Sequence, residues 1–190
     1  MKTASSLLVV SCCALAVVAL SPTSSAAQVS PPAASISVSP PITTQASATV
    51  YDATGARLGV LSFSDSPAGL LVSGVLTALP VGTHGIHLHA VGQCEPPFTT
   101  AGGHLNPAGA KHGFRNPMGH HAGDMTNVTA QPGGAANVDL IVYGVTLTGA
   151  GGLLDADGAS VVVHAGADDY MTDPAGASWA RIACGVIIAK

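Results

Sequence analysis

Charge is scarce in this chain. Asp, Glu, Lys and Arg make up only 8% of its 190 residues, and Glu95 is its one glutamate. The six basic residues are isolated from one another, with no patch or stripe, so the electrostatic footprint needed to bind nucleic acid is missing. Aromatic residues amount to 4%; they form no helical stripe or stacking platform and are expected as core or loop anchors. No internal repeat and almost no helical periodicity is present. The longest apolar run, Leu7 to Leu20, is shorter than the ~20 residues a membrane-spanning helix needs. With Lys2 before it and Ser25-Ala26-Ala27 after it, the run reads as a secretory signal peptide over residues 1–27. The protein is therefore expected to be exported, with no membrane association once that segment is removed.

Export changes the meaning of the four cysteines. Cys12 and Cys13 leave with the signal, and Cys94 and Cys184 remain as one pair in an oxidising compartment, which reads as a disulfide. Closing so long a loop stabilises by about 4–5 kcal/mol on the chain-entropy model. Loss of Lys2 takes the net charge from −4 to −5, five bases against ten acids. Residues 28–45 are rich in Pro, Ser, Ala and Thr and carry no charge, as expected of a flexible lead-in. Residues 46–190 suit one domain.

Within that domain, β-prone runs fall at 46–52, 57–65, 70–79, 85–90, 135–148, 159–164 and 180–188, with a Thr54-Gly55 turn between the first two. Many short strands separated by glycine-rich turns describe an all-β antiparallel sandwich or barrel. The pattern lapses between residues 91 and 124. A structureless loop of that length is usually functional or disordered.

That loop and its approach hold the histidines. Seven of the chain's eight lie between 84 and 124, where an even spread would place about two. Such a cluster points to metal. His87 and His89, two apart in a strand, point to one face, with Ile86 and Leu88 turned to the core. His164, in the apolar run 161–166, can approach from a neighbouring strand, and three or four nitrogens in a plane suit copper(II). His104, His112, one of His120 and His121, and Asp124 make a closed set of three imidazoles and a carboxylate, which suits structural zinc. A metal would also supply the ordering energy such a loop otherwise lacks.

Six blocks in order resemble the Cu,Zn superoxide dismutases, in their bacterial periplasmic branch. They are Gly85-Ile86-His87-Leu88-His89, Ala101-Gly102-Gly103-His104-Leu105-Asn106-Pro107, Lys111-His112-Gly113, His121-Ala122-Gly123-Asp124, Val162 to Asp169, and Ala180 to Ile187. The resemblance spans residues 46–190 and implies a Greek-key β-sandwich with a long metal-binding loop. It implies one copper held by His87, His89, His104 and His164, and one zinc held by His104, His112, His121 and Asp124, with His104 bridging both. It makes Asp168 the carboxylate linking a copper histidine to a zinc histidine, Cys94–Cys184 the family's disulfide, and Arg181 the guide for the substrate anion, superoxide. His104 would carry a proton in the reaction. The location implied is the periplasm or outside the cell, and relatives occur as monomers or homodimers.

Some residues depart from the familiar pattern. Between His164 and Arg181 stand Asp168, Asp169 and Asp173 and no lysine, so electrostatic steering must come from elsewhere or be weak. Lys111 and Arg115 are the candidates, although solvated surface roles are expected for both. His84 and His120 have no assigned role and are expected to be exposed, and the Asn127-Val128-Thr129 sequon is read as chance. Two other functions compete. A non-catalytic copper/zinc carrier would need neither a bridging histidine nor an anion-guiding arginine, and a zinc hydrolase would need a general base, for which Glu95 in its proline-flanked turn is poorly placed.

Overall fold

A computed structural model describes residues 45–190. The expected signal peptide and, apart from Gln45, the expected lead-in lie outside the described residues. The chain opens as a meander of β1 (Ala46–Asp52), β2 (Arg57–Ser66) and β3 (Gly69–Leu76). The β1–β2 turn is closed by the Asp52 carboxylate, which accepts from the Thr54 and Ala56 amides at 2.8 and 2.9 Å. Seven strands follow: β4 (Gly82–His84), β5 (Ile86–His89), β6 (Val128–Ala130), β7 (Ala136–Val142), β8 (Ser160–His164), β9 (Arg181–Val186) and β10 (Ile188–Ala189). Among the described residues the one helical element is a 3-10 turn at Thr99–Ala101.

The main sheet is antiparallel and runs β5-β8-β9-β1-β2-β3-β7, with β10 beside β1. β4 pairs with β6. Because β4 runs on into β5 and β6 turns into β7, that pair joins the two ends of the long sheet, and a Greek-key barrel results. Alternate residues of the strands fill one core: Ala48, Val50, Leu61, Phe63, Leu70, Val72, Ile86, Leu88, Val161, Val163 and Ala183 are all fully buried. Burying side chains of this size contributes roughly 1.5–3 kcal/mol for each Val, Leu, Ile or Phe.

Several strands depart from the sequence expectation. The run 70–79 ends at Leu76, because Ala78 adopts a left-handed φ of 56°. The run 135–148 ends at Val142, before a turn at Gly144 with φ 72°. The run 85–90 starts late: the Gly85 carbonyl accepts from His164 of β8, but its amide reaches on to Gly166, beyond that strand. β6 has three residues, too few for an alternating pattern to show.

The other face of β5, β8 and β9 carries the chemistry. Cross-strand partners share a face, and His87 pairs with Val162, which pairs with Cys184. His87, His89, Val162, His164 and Cys184 therefore all point away from the core. The loop after β5 folds back over this face, where Phe98, Ala101, Val162 and Cys184 form a second buried cluster against Cys94. The Cys94–Cys184 disulfide, with sulfurs 2.00 Å apart, pins the loop there.

Candidate metal centre

A β-bulge sets the geometry at the end of β8. Val163 pairs with Ala183, but the register then shifts and His164 faces Arg181 rather than Ile182. One extra residue in a strand re-aims the side chains around it, and here it places a guanidinium beside an imidazole. The loop between β5 and β6 is stitched to the β5 edge. The Leu88 amide donates to the Gly123 carbonyl at 2.9 Å, and the Leu88 carbonyl accepts from Leu105 at 2.8 Å. These bonds bring His104 opposite His89 and Asp124 opposite His87.

Two groups of donor atoms converge as a result, and His104 belongs to both. In the first, Nδ1 of His87 and Nε2 of His89, His104 and His164 are buried and have no hydrogen-bond partner. These atoms lie within 4.8 Å of one another. An unsatisfied buried nitrogen costs about 1–3 kcal/mol, so four together in one place need a ligand with an empty orbital. In three of these histidines the opposite ring atom is anchored. His87 Nε2 meets Asp168 Oδ2 at 2.8 Å, His89 Nδ1 donates to the Gly102 carbonyl at 3.0 Å, and His164 Nδ1 donates to the Trp179 carbonyl at 3.3 Å. Each anchor keeps the proton on the far nitrogen and leaves the lone pair facing inward. Four such nitrogens fit copper(II).

The second group is Nδ1 of His104, His112 and His121 with Oδ1 of Asp124. The carboxylate oxygen is 2.9, 3.0 and 3.3 Å from the three nitrogens in that order, and His104 and His121 are 3.2 Å apart. A tetrahedral zinc ion with bonds of about 2.0–2.1 Å has ligand–ligand edges of roughly 3.3 Å. The group fits that ion, and it includes His121 rather than His120. His120 is exposed.

Asp168 connects the two groups. Its second oxygen meets His112 Nε2 at 3.0 Å, so one carboxylate spans the imidazoles of His87 and His112. Asn127 holds Asp168 from behind: its side chain donates to the Asp168 carbonyl at 2.9 Å and accepts the Asp168 amide at 2.8 Å. That occupied amide explains the Asn-Val-Thr run as a clamp. Gly176, with φ 65°, packs against the same pair, and a Cβ there would overlap the Asp168 carboxylate and lie 2.8 Å from His112 Nε2.

Burial governs the protonation of the first group. It pushes His87 down to about 4 against the pull of Asp168, His164 to about 3, and His89 to about 2. All three are neutral near pH 7, as metal ligands must be. His112 differs: burial lowers it, but hydrogen bonds to the Asp124 and Asp168 carboxylates outweigh that and raise it to about 9. Burial also works against both carboxylates, yet their histidine partners hold them well below the usual range.

A cavity of about 390 Å³ opens beside the two groups, lined by His104, His121, His164, Pro174, Trp179 and Arg181 among others. The Arg181 guanidinium is fixed by the carbonyls of Phe98 at 2.6 Å and Gly102 at 2.7 Å. Neither Lys111 nor Arg115 lines this cavity. Lys111 pairs with Asp173 at 3.0 Å, and Arg115 lies over the Tyr170 ring at 5.5 Å.

Two expectations are corrected. His84 is buried at 2% exposure, with its ring nitrogens 2.8 Å from the His164 carbonyl and 2.7 Å from the Pro80 carbonyl. It ties the segment before β4 to the end of β8, a role no sequence motif announces. The aromatic residues are not uniformly anchors either. Phe63 and Phe98 are buried, whereas Tyr51, Phe114, Tyr143 and Trp179 are 43–79% exposed.

Comparison with known proteins agrees with this geometry. A family model for copper/zinc superoxide dismutase matches residues 58–187. The chain is 42% identical over 147 residues to a Cu-Zn superoxide dismutase of Caulobacter vibrioides, covering 75% of this chain and 84% of that one. It is 39% identical over 147 residues to the second Cu-Zn superoxide dismutase of Aquifex aeolicus, covering 75% and 86%. A solved superoxide-dismutase-like protein from Bacillus subtilis superposes with a TM-score of 0.72 at 35% identity, covering 75% of this chain and 97% of that one.

Proposed function

This chain belongs to the copper/zinc superoxide dismutase family, and we propose that it is an exported enzyme that disproportionates superoxide at the mouth of the cavity beside Arg181. The reading is carried by the four buried, unpartnered nitrogens of His87, His89, His104 and His164, two of whose rings line an open cavity together with a fixed guanidinium. Copper held by those nitrogens would supply the one-electron chemistry, by which one superoxide becomes dioxygen and another, with two protons, becomes hydrogen peroxide. The other four-donor group, His104, His112, His121 and Asp124, would hold zinc, which does no redox chemistry.

The chain's own residues perform the remaining work. Arg181 attracts and orients the anion from the cavity wall, its guanidinium fixed there by two backbone carbonyls. His104 takes up and delivers a proton at Nε2, while Nδ1 stays among the zinc-group donors and keeps the ring in place. Asp168 fixes the His87 and His112 rings, and partners of that kind are worth 10–100-fold in metal affinity or activity. Solvent reaches the open cavity and supplies the second proton. Export, to the periplasm or beyond, is supported by the apolar N-terminal run and by a disulfide that needs an oxidising compartment.

The test compares superoxide consumption by the metal-free, zinc-loaded, and copper-and-zinc-loaded protein with its disulfide intact. Rapid consumption is expected only with copper present. No consumption with one copper and one zinc bound per chain would replace the enzyme by a metal carrier.

A further inference from the structure

Trp179 is unusual in two ways at once. It is the chain's only tryptophan, and at 79% exposure it is the most exposed of the large apolar side chains among the described residues. Its backbone also sits at φ 66°, in the left-handed region, which costs a residue with a Cβ about 1–2 kcal/mol. Local departures of this kind persist where the surroundings enforce them, and they cluster at functional sites. The surroundings here are specific. The Trp179 carbonyl accepts from His164 Nδ1, and the indole lies on Gly166, where an added Cβ would come 3.1 Å from Cε3. The ring thus covers the backbone just beyond His164, and the residue forms part of the cavity wall with Arg181.

That cavity has a selectivity problem. At about 390 Å³ it is far larger than a diatomic anion, and a guanidinium binds phosphates and carboxylates through its planar fork. Charge alone therefore favours the wrong anions. Discrimination then has to come from shape, by excluding what must not bind. We propose that the Trp179 indole is a size filter, a specificity-determining wall that admits a diatomic anion to Arg181 and turns larger anions away. The proposal rests on superoxide being the substrate, but its test does not use that reaction.

The test measures how fast Arg181 is modified in the copper-and-zinc-loaded full chain by a small aliphatic dicarbonyl, butanedione, and by a bulky aromatic one, phenylglyoxal. Peptide mass mapping reads Arg181, with Arg57 and Arg115 as references in the same digest. Trp179→Gly suits the left-handed backbone and should fold. It is expected to raise the phenylglyoxal rate at Arg181 by about tenfold, the low end of what pocket shape achieves, and to leave the butanedione rate nearly unchanged. Trp179→Phe, which keeps a flat ring, is expected to fall between the two. An unchanged phenylglyoxal rate would overturn the filter. Equal acceleration of both reagents would also overturn it, because that marks a loosened segment rather than a removed wall. A protein without dismutase activity but with the expected reagent ratio would reject the function and keep the filter.

Discussion

His89 and Arg181 donate to the same oxygen, the carbonyl of Gly102, at 3.0 and 2.7 Å. A residue of the first donor group and the guanidinium that lines the cavity are thereby held by a single backbone atom. The guanidinium is placed by the same loop that places the imidazole.

Arg181→Lys is expected to fold and to bind both metals, because the Gly102 carbonyl keeps its bond to His89. A lysine cannot bridge two carbonyls and still face the cavity as a planar fork. Losing one charge-assisted contact of about 1.5–3 kcal/mol lowers kcat/KM roughly tenfold or more. Steady-state kinetics at low ionic strength checks this; an unchanged kcat/KM would remove Arg181 from the proposed mechanism.

His164→Ala separates the two groups. His164 contributes only to the first, so copper occupancy and activity should fall while zinc stays near one per chain. Metal analysis after dialysis decides it. Equal loss of both metals would show that the division into two groups is wrong.

Asp168→Asn should behave differently, since Asp168 meets both His87 and His112. An amide cannot accept two imidazole protons, and both metals should bind 10–100-fold more weakly. Competition with a chelator measures the two affinities separately. Loss confined to one metal would mean that Asp168 supports only one ring.

The metal-free protein should lose stability on both sides of neutrality. His87, His89 and His164 are depressed to about 4, 2 and 3. Their stabilisation is complete above the unfolded value of about 6.5 and is lost as pH falls below it. His112 is raised to about 9, so its contribution is complete below about 6.5 and is lost as pH rises through 9. Melting temperatures of the zinc-free and copper-free protein between pH 4 and 9 should show the acid side steeper, with three histidines acting against one. A protein that grew more stable towards pH 5 would contradict the burial of these rings.

Most of the architecture was legible because strands of β-branched residues announce themselves by alternation. The pair His87 and His89 was legible for the same reason: a period of two puts both on one face. Strand ends were less legible, since Ala78 and Gly144 end their strands by backbone conformations that neither residue type dictates. β6 left no signal at all. His84 was misread because a histidine that serves two backbone carbonyls has the same sequence appearance as an exposed one. Asn127 and Gly176 carried no chemistry in the sequence; their roles exist only against Asp168.

By itself the sequence determined which donor atoms exist, that they cluster near one strand and one loop, and which family they resemble. Tertiary structure decided which ring nitrogen of each histidine faces inward, because backbone carbonyls and Asp168 hold the opposite nitrogen. It also decided that Arg181, and not Ile182, stands opposite His164, because a one-residue bulge shifts the register of β9 against β8. Proton position and strand register depend on partners distant in the chain, and local sequence does not encode those partners.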